Sequence, residues 1–484
     1  MDQIASVLLN FPPAGGIADD DLYNSAAKSH SQSVDKLAVT PNFKDTAAQL
    51  LDHVDPAINS ISHLSLLIAA RAADSLPQPE LLAKISIFLV SFDARQIRYA
   101  GKAFASVLDW VTSGNLFPAS VAVDLVTAAL LRIDPTGSVL TTHHVALAKL
   151  AYTTDNVGPA LPLLEKNIVF YPGVKGLQEP RPLGSPDLPP ASYVTVESGL
   201  TKQLSSSDVL QYDLFRGLCF IQRRSWSQAL DALERVITYP ARDTHSCSKI
   251  MVEAHNKWVL IGLLLNGKAP TLPTITAPGA QKAFSALGKP YQSIGNAFGE
   301  STGRLLKTEY EGLGPQFFSE ENNLSLVRLV IQHYQRWQIL KLRQVYTKIS
   351  LEKIRTRTQS AETGAPLATE AEVAQLIQEM IDEGMLSGVI ERPADGPAYL
   401  SFHVPDEVLS EAEFGQRMLQ TAQRLKELEP IVKATNERLG THRDYVRFLS
   451  GQQKKDKDWQ RDYGVGFMNQ VEDEDLMTDA VAGF

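Results

Sequence analysis

The stretch from Asn322 to Val404 constrains the fold of this chain more than any other. Its third helical segment carries the clearest signature. Thr369 and Glu372 stand at capping-box spacing, and Val373, Leu376, Ile377, Met380 and Ile381 then recur at i, i+3, i+4, i+7 and i+8. That is one apolar stripe on a helix. Gly384 follows as the stop. Two strands are predicted next, Met385 to Glu391 and Ala398 to Val404, joined by "RPADGP", where Asp395-Gly396 between prolines is turn chemistry. Leu400, Phe402 and Val404 alternate with Tyr399, Ser401 and His403, so one face is buried. A helix, a short extended piece and a second helix precede this. "RTRTQSAETGAPLA" is an exposed polar insertion between helices two and three. Three helices and a hairpin in that order spell a winged helix.

The first half reads as all-helical. Apolar stripes at helical spacing predict helices over Leu22–Val39, Lys44–His53, Ser62–Asp74, Glu80–Ser91, Arg95–Thr112, Pro118–Ile133, Thr142–Tyr152 and Pro159–Phe170. Many helices on short turns imply an α-solenoid. "ALPLLEKNIVFY" from Ala160 aligns with "ALDALERVITYP" from Ala229, an offset of 229 − 160 = 69 residues. Two tetratricopeptide periods come to about 68 residues, so the repeats are read as tetratricopeptide-like. Between the copies, Pro172, Pro180, Pro182, Pro186, Pro189 and Pro190 forbid a helix, so residues 171–192 are expected to be a proline-rich loop. Helices resume near Ser206 and include one within Gln281–Tyr310.

A length of 484 residues leaves room for two or three domains, and 44% hydrophobic with 21% charged residues is ordinary for a globular protein. Cys219 and Cys247 are the only cysteines, which points to a reducing compartment rather than a disulfide framework. Asp2 stands where a signal peptide needs basic residues, and "WVLIGLLL" is too short to span a bilayer. No lipidation motif is visible.

No set of residues assembles a reaction centre. His143 and His144 are adjacent, so a helix points them apart and they cannot grip one ion together. His245 and Cys247, in "DTHSCSK", have no base or cation to activate the thiol. "NGKAP" and "LGKP" lack the features of a phosphate loop. The reading is therefore no enzyme, no cofactor and no metal. The net charge of −9 also argues against a general nucleic-acid binder. The third helix of the winged stretch carries Glu370, Glu372, Glu379, Asp382 and Glu383, each repelled by phosphates. Arg336, Lys341, Arg343, Lys348, Lys353, Arg355 and Arg357 form a basic stripe, expected to be a solvated face pairing with nearby acids.

The wing is better suited to pairing with another subunit's strand. Beyond it, Met418, Leu425, Val432, Leu439 and Val446 recur every seven residues, one ridge that needs a partner. Ala422, Glu429, Asn436 and Arg443 fill the complementary positions, against a free-standing coiled coil, and Pro430 is expected to kink or split the helix. From Gly451 the composition predicts a disordered acidic tail, with Trp459, Tyr463 and Phe467 as scattered aromatics.

An α-solenoid running into a winged helix is the arrangement of PCI-domain proteins. The blocks "QIRYAGKAFASV", "ITYPARDTHSCSKIMVEAHNKWVLIGLLLNGK", "YTKISLEKI" and "EMIDEGMLSGVIERPADGPAYLSFH" resemble the third-subunit family of the COP9 signalosome. The "IRYA" and "SKIMVEA" pieces select that family among PCI proteins. The departures are the proline-rich loop, the insertion after Ile354 and a divergent N-terminus. The resemblance implies a mostly α fold: N-terminal repeats 1–205, the helical part of the PCI domain 206–321, its winged helix 322–404, C-terminal bundle helices 405–450 and the tail 451–484. It further implies a non-catalytic scaffold in the complex that deneddylates cullin-RING ubiquitin ligases, in cytoplasm and nucleus. The partners implied are other PCI subunits and the metalloprotease-bearing subunits, with no nucleic acid and no membrane. The wing contact would be Leu386, Val389, Ile390, Tyr399, Ser401 and His403. The bundle contact would be Met418, Leu425, Val432, Leu439 and Val446. A PCI subunit of the proteasome lid, or an RNA-binding PCI protein of mRNA export, is the alternative.

Overall fold

The structure is a computed structural model and describes residues 2–13, 15–172, 183–240, 247–300, 302–393, 396–402, 410–441, 443, 445–448 and 450–451. Among these, helices dominate and one three-stranded sheet is present. No helix of the described residues is long and apolar enough to cross a membrane.

Helices Asp20–Ala38, Pro41–Leu51, Ser60–Ala72, Gln78–Ser91, Gly101–Thr112, Ala119–Ile133, Thr142–Thr153, Val157–Leu164, Ser206–Gln222, Trp226–Ile237 and Lys249–Asn266 pack in succession as a helical array. Local capping sets their starts. Asp19 accepts the Leu22 N–H, Ser205 and Asp208 form a capping box, and Ser248 accepts the Ile250 N–H. Their stops repeat one geometry. Asp74, Asp155, Arg224 and Asn322 all have φ between 50° and 56°. The next residue then bonds five residues back: Ser75 to Ala70, Asn156 to Ala151, Ser225 to Phe220 and Asn323 to Phe318. This left-handed stop satisfies the last carbonyls and turns the chain into the following helix. Asp155 and Arg224 are 224 − 155 = 69 residues apart, the offset of the repeat. In the two copies Ala160 and Ala229, and Leu164 and Leu233, are fully buried at matching positions.

Several sequence expectations are corrected. A helix at Asp2–Leu8 precedes the first one expected, with Leu8 and Phe11 in the core. Arg95–Thr112 is two helices, Ala94–Ile97 and Gly101–Thr112, and Arg98 in the break turns inward to hold carbonyls of a later segment. Pro159–Phe170 stops at Leu164, and Phe170 pairs as an isolated parallel bridge with Val139. The proline-rich loop contains a helical turn, Pro190–Tyr193, where the proline at the first position lacks only a hydrogen bond the helix would not make. The single helix within Gln281–Tyr310 is three: Pro278–Leu287, Lys289–Gly299 and Gly303–Leu313. His245, His403, Val404 and residues 452–484 lie outside the described residues.

The described part of the proline-rich loop is a strap bound to the array. Arg98 donates to Leu183 O at 3.0 Å and Ser185 O at 2.7 Å, and Arg95 donates to Gly184 O at 2.7 Å. Gly184 fits against Tyr23 and Tyr99, where a Cβ would collide. The Arg98 guanidinium stacks on Tyr193, whose hydroxyl donates to Ile133 O at 2.8 Å. Leu188, Tyr193, Val194 and Leu200 join a core that begins at Leu8 and continues past residue 205 to Ala361. Helix Leu324–Leu342 gives Val327, Val330, Ile331 and Tyr334 to this core and Ile339 to a second one, formed with Ile349, Leu351, Ile354, Val373, Ile377, Met380, Leu386, Leu400 and Phe402.

Helix Glu411–Thr441 belongs to a separate unit. It runs unbroken for 31 residues through Pro430, so the expected split does not occur. The proline removes one ladder bond, and the surrounding Lys, Glu and Leu are strong helix formers.

One buried carboxyl in the array predicts a pH effect. Asp213 is 7% exposed, and burial pushes its pKa up to about 6, against the opposing pull of Arg216 and Arg235. A carboxyl that is harder to ionise when folded costs stability as the pH rises from about 4 through 6. Two units correspond to about 3 kcal/mol at full ionisation. Asp213→Asn is expected to stabilise the protein by about 1–3 kcal/mol above pH 7 and by nothing at pH 4. Urea unfolding across that range checks both ends.

Candidate subunit-contact surfaces

The wing is built by local rules and closed by a long-range pairing. Helix Glu370–Asp382 starts where the Thr369 hydroxyl accepts the Glu372 N–H at 3.2 Å. The Glu372 carboxylate reaches the Ala368 N–H, one residue before the partner of a standard capping box. Gly384 ends the helix at φ 72°. Strands β1 (Lys348–Ser350), β2 (Gly388–Glu391) and β3 (Tyr399–Phe402) form an antiparallel sheet in the order β1-β3-β2. The expected open two-stranded hairpin is therefore a three-stranded sheet. The short extended piece before the second helix supplies the third strand, with Ile349 opposite Leu400.

The hydrogen bonds show which groups are spare. Phe402 donates to Thr347 O and Leu351 donates to Ala398 O, both at 2.9 Å. Even-numbered residues of β3 thus face β1, and Tyr399 and Ser401 face β2. Their opposites, Glu391 and Val389, are the bonded partners in an antiparallel ladder. Gly388 and Ile390 consequently point their N–H and C=O groups out of the β2 edge, which pairs with no strand among the described residues.

This geometry sorts the expected wing residues. Val389 is exposed and Ile390 half-buried, both on the edge strand. Tyr399 and Ser401 lie on the middle strand, where their backbone is used within the sheet, so only their side chains face outward. Leu386 is 2% exposed and supports the wing from inside its core. Gly388 was missed. A glycine inside a strand is the signal that could have found it: an added Cβ would press on Ser401 O and the Leu400 side chain.

The charges near the sheet are paired. Lys348 binds Glu391 across the middle strand and lies over Tyr399, and that bond holds the Glu391 carboxyl below its usual range. Arg336 binds Glu379 at 3.1 Å and also Glu383, both on the acidic third helix. Lys353 sits over Tyr346. These pairs take up part of the basic stripe inside the domain.

The ridge residues Met418, Leu425, Val432, Leu439 and Val446 are all exposed along the C-terminal segment, and Phe414 and Leu428 are exposed beside them. At about 100° per residue they fall within one stripe that drifts slowly along the helix.

The remaining reactive groups have structural partners. His143 Nε2 meets Asp109 Oδ1 at 3.0 Å, while His144 Nδ1 joins Thr141 at 2.8 Å in the helix cap, so the two rings diverge. The hydrogen bond with His143 brings Asp109 down to about 2, helped by Lys202. Burial pushes the Cys219 thiol up to about 12 and raises that of Cys247. Among the described residues no group of His, Cys, Asp and Glu could hold a metal ion.

The sequence matches the family model for the N-terminal helical repeats of COP9 signalosome complex subunit 3 over residues 21–279. A protein of Neurospora crassa named COP9 signalosome complex subunit 3 is 48% identical over 479 residues, 97% of this chain and 95% of its own length. A protein of the same name from Emericella nidulans is 28% identical over 451 residues, 89% of each chain.

The sheet geometry predicts that Gly388→Ala destabilises the wing by about 1–3 kcal/mol, since the added methyl meets the β3 backbone. Val389→Ala, one residue on and facing outward, should change stability by less than about 0.5 kcal/mol. Amide exchange at Ile349 and Leu400 compares the two.

Proposed function

Because the chain belongs to the COP9 signalosome subunit 3 family, we propose that it is a non-catalytic scaffold of the signalosome, the assembly that deneddylates cullin-RING ubiquitin ligases. The metalloprotease chemistry then sits in another subunit, and this chain supplies position. Its partners are the neighbouring PCI subunits and the metalloprotease-bearing subunits, and it acts in cytoplasm and nucleus. The observation that carries the reading is the β2 edge. Among the described residues no strand pairs with the outward backbone groups of Gly388 and Ile390, and the sheet's Lys348 and Glu391 are paired with each other. A strand from a neighbour completes such an edge by main-chain hydrogen bonds. The ridge of Met418, Leu425, Val432, Leu439 and Val446 is the second contact, in a bundle of C-terminal helices. Burying five such side chains stabilises an association by several kcal/mol, about 1.5–3 for each fully buried one before association costs.

Affinity purification of the tagged chain from its own cells tests the proposal. Co-recovery of other PCI subunits with a metalloprotease subunit is expected. Recovery as a monomer would sink it, and recovery with proteasome-lid subunits would move the chain to that complex.

Ile390→Pro tests the edge directly. It removes an N–H that points outward, so the pairing with β3 is retained. The wing should stay folded while binding to the neighbouring subunit falls by about tenfold, the equivalent of about 1.4 kcal/mol. Leu425→Asp with Val432→Asp should release the chain from the complex and leave the helical array's melting temperature unchanged. Unaltered co-purification would remove the bundle from the model of assembly.

A further inference from the structure

The wing is joined to the array through one continuous helix. Leu324–Leu342 has 19 residues, about 28 Å of helix. Its first turns are buried in the array core and its last turns in the wing core. A lone helix is a shaft that bends and lets its load swing. A second attachment removes that freedom, and segment 358–367 provides one.

The segment leaves the second wing helix at Thr358, whose hydroxyl receives Gln335 Nε2 at 3.1 Å. The Gln359 N–H donates to Gln338 Oε1 at 2.8 Å, so the start is tied to the shaft. The chain then reaches back to helix Gly303–Leu313, whose Leu306 is buried in the array core. Ala361 is 2% exposed and packs in the array core, not the wing core. Gly303 makes room for it, because a Cβ there would crowd Ser360 O and Gln359. Lys307 Nζ donates to Thr363 O at 3.2 Å. The return is a tight turn: Gly364, at φ 72°, donates to Ser360 O at 2.8 Å, and Ser360 donates to Ala365 O at 3.0 Å. A segment that reads as a polar excursion is anchored on both sides of the junction.

We propose that segment 358–367 is a strut that locks the wing to the helical array, so that the sheet edge Gly388–Glu391 keeps one direction relative to the arm. Array and wing then act as a single lever. A partner that pulls on the array displaces the wing edge by rigid motion, and a partner seated on the edge fixes where the array points. The strut is a property of the chain alone and does not depend on what the wing pairs with.

Distance measurement by double electron–electron resonance tests it on the full chain. Spin labels go on Ser285→Cys in the array and Gln378→Cys in the wing, both exposed, in a Cys247→Ser background with Cys219 left buried. Two strut variants are compared with this parent. Ala361→Asp forces a carboxylate into the array core, and the other variant replaces residues 360–365 by a Gly/Ser sequence of equal length. The parent should give one narrow distance. Each variant should broaden it about twofold, with amide protection of Ile349 and Leu400 retained. A distribution as narrow as the parent's in both variants overturns the proposal. Loss of wing protection in both also overturns it, because the segment would then be part of the wing's own fold.

Discussion

Stacked helices leave unpaired carbonyls at every turn, and a buried carbonyl without a donor costs on the order of 1–3 kcal/mol. In this chain long side chains from neighbouring helices meet that need. Arg132 donates to Val90 O, Ser91 O and Phe92 O at the end of helix Gln78–Ser91. Arg216 donates to Leu164 O and Lys166 O where the next unit ends. Arg98 does the same for the strap. Trp337 donates to Leu264 O at the passage into the wing, and its ring fills the space above Gly267, where φ is 65°. Each donor is distant in sequence from the carbonyl it meets, so one interaction type both satisfies a chain turn and ties separate segments together.

Two of the blocks that carry the resemblance fall on these joints. "QIRYA" contains Gln96 and Arg98, which hold Ile58 O and the strap carbonyls. "SKIMVEAHNKW" contains Lys257, a buried ammonium that donates to Asn323 Oδ1 at 2.8 Å and pairs with Glu253. Asn323 in turn donates to the Tyr291 hydroxyl, which donates to Glu321. A buried charge held by two partners specifies one arrangement of the turn that starts the shaft helix, although its net contribution to stability is small.

The candidate contacts follow the same economy of hydrogen bonds. Among the described residues the wing sheet pairs its middle strand on both sides and leaves the β2 edge without a partner strand. The C-terminal helix satisfies its backbone internally and leaves its apolar ridge exposed. One surface offers directional backbone pairing and the other offers non-directional burial. Together they suit a subunit that must be placed in register and then held.

Much of this was legible in the residues alone. Helix positions in the array, the stop at Gly384, the strands of the wing and the seven-residue ridge are set by periodicity and capping, which act over a few residues. The repeat showed itself as a 69-residue offset because Ala160 and Ala229, and Leu164 and Leu233, fill the same buried positions, whereas the left-handed turn before each copy is made by different residues, Asp155 and Arg224. The tertiary structure decided the rest. At the break, Arg98 holds a strap carbonyl about 85 residues later in the chain, a pairing that no local pattern announces. Residues 348–350 became a strand only by meeting Leu400 and its neighbours, which made β3 the middle strand and shifted the free groups to Gly388 and Ile390. Leu386 carries the same apolar signal as a surface contact and turned inward. The insertion at 355–368 is polar enough to read as solvated, yet its first three residues close a helix and Ala361 lies in a core formed by residues far away in the chain. Local pattern determines which segments are helices and which face of each is apolar. Which apolar face is covered, and which backbone group is left over, depends on pairings between distant segments that no local pattern encodes.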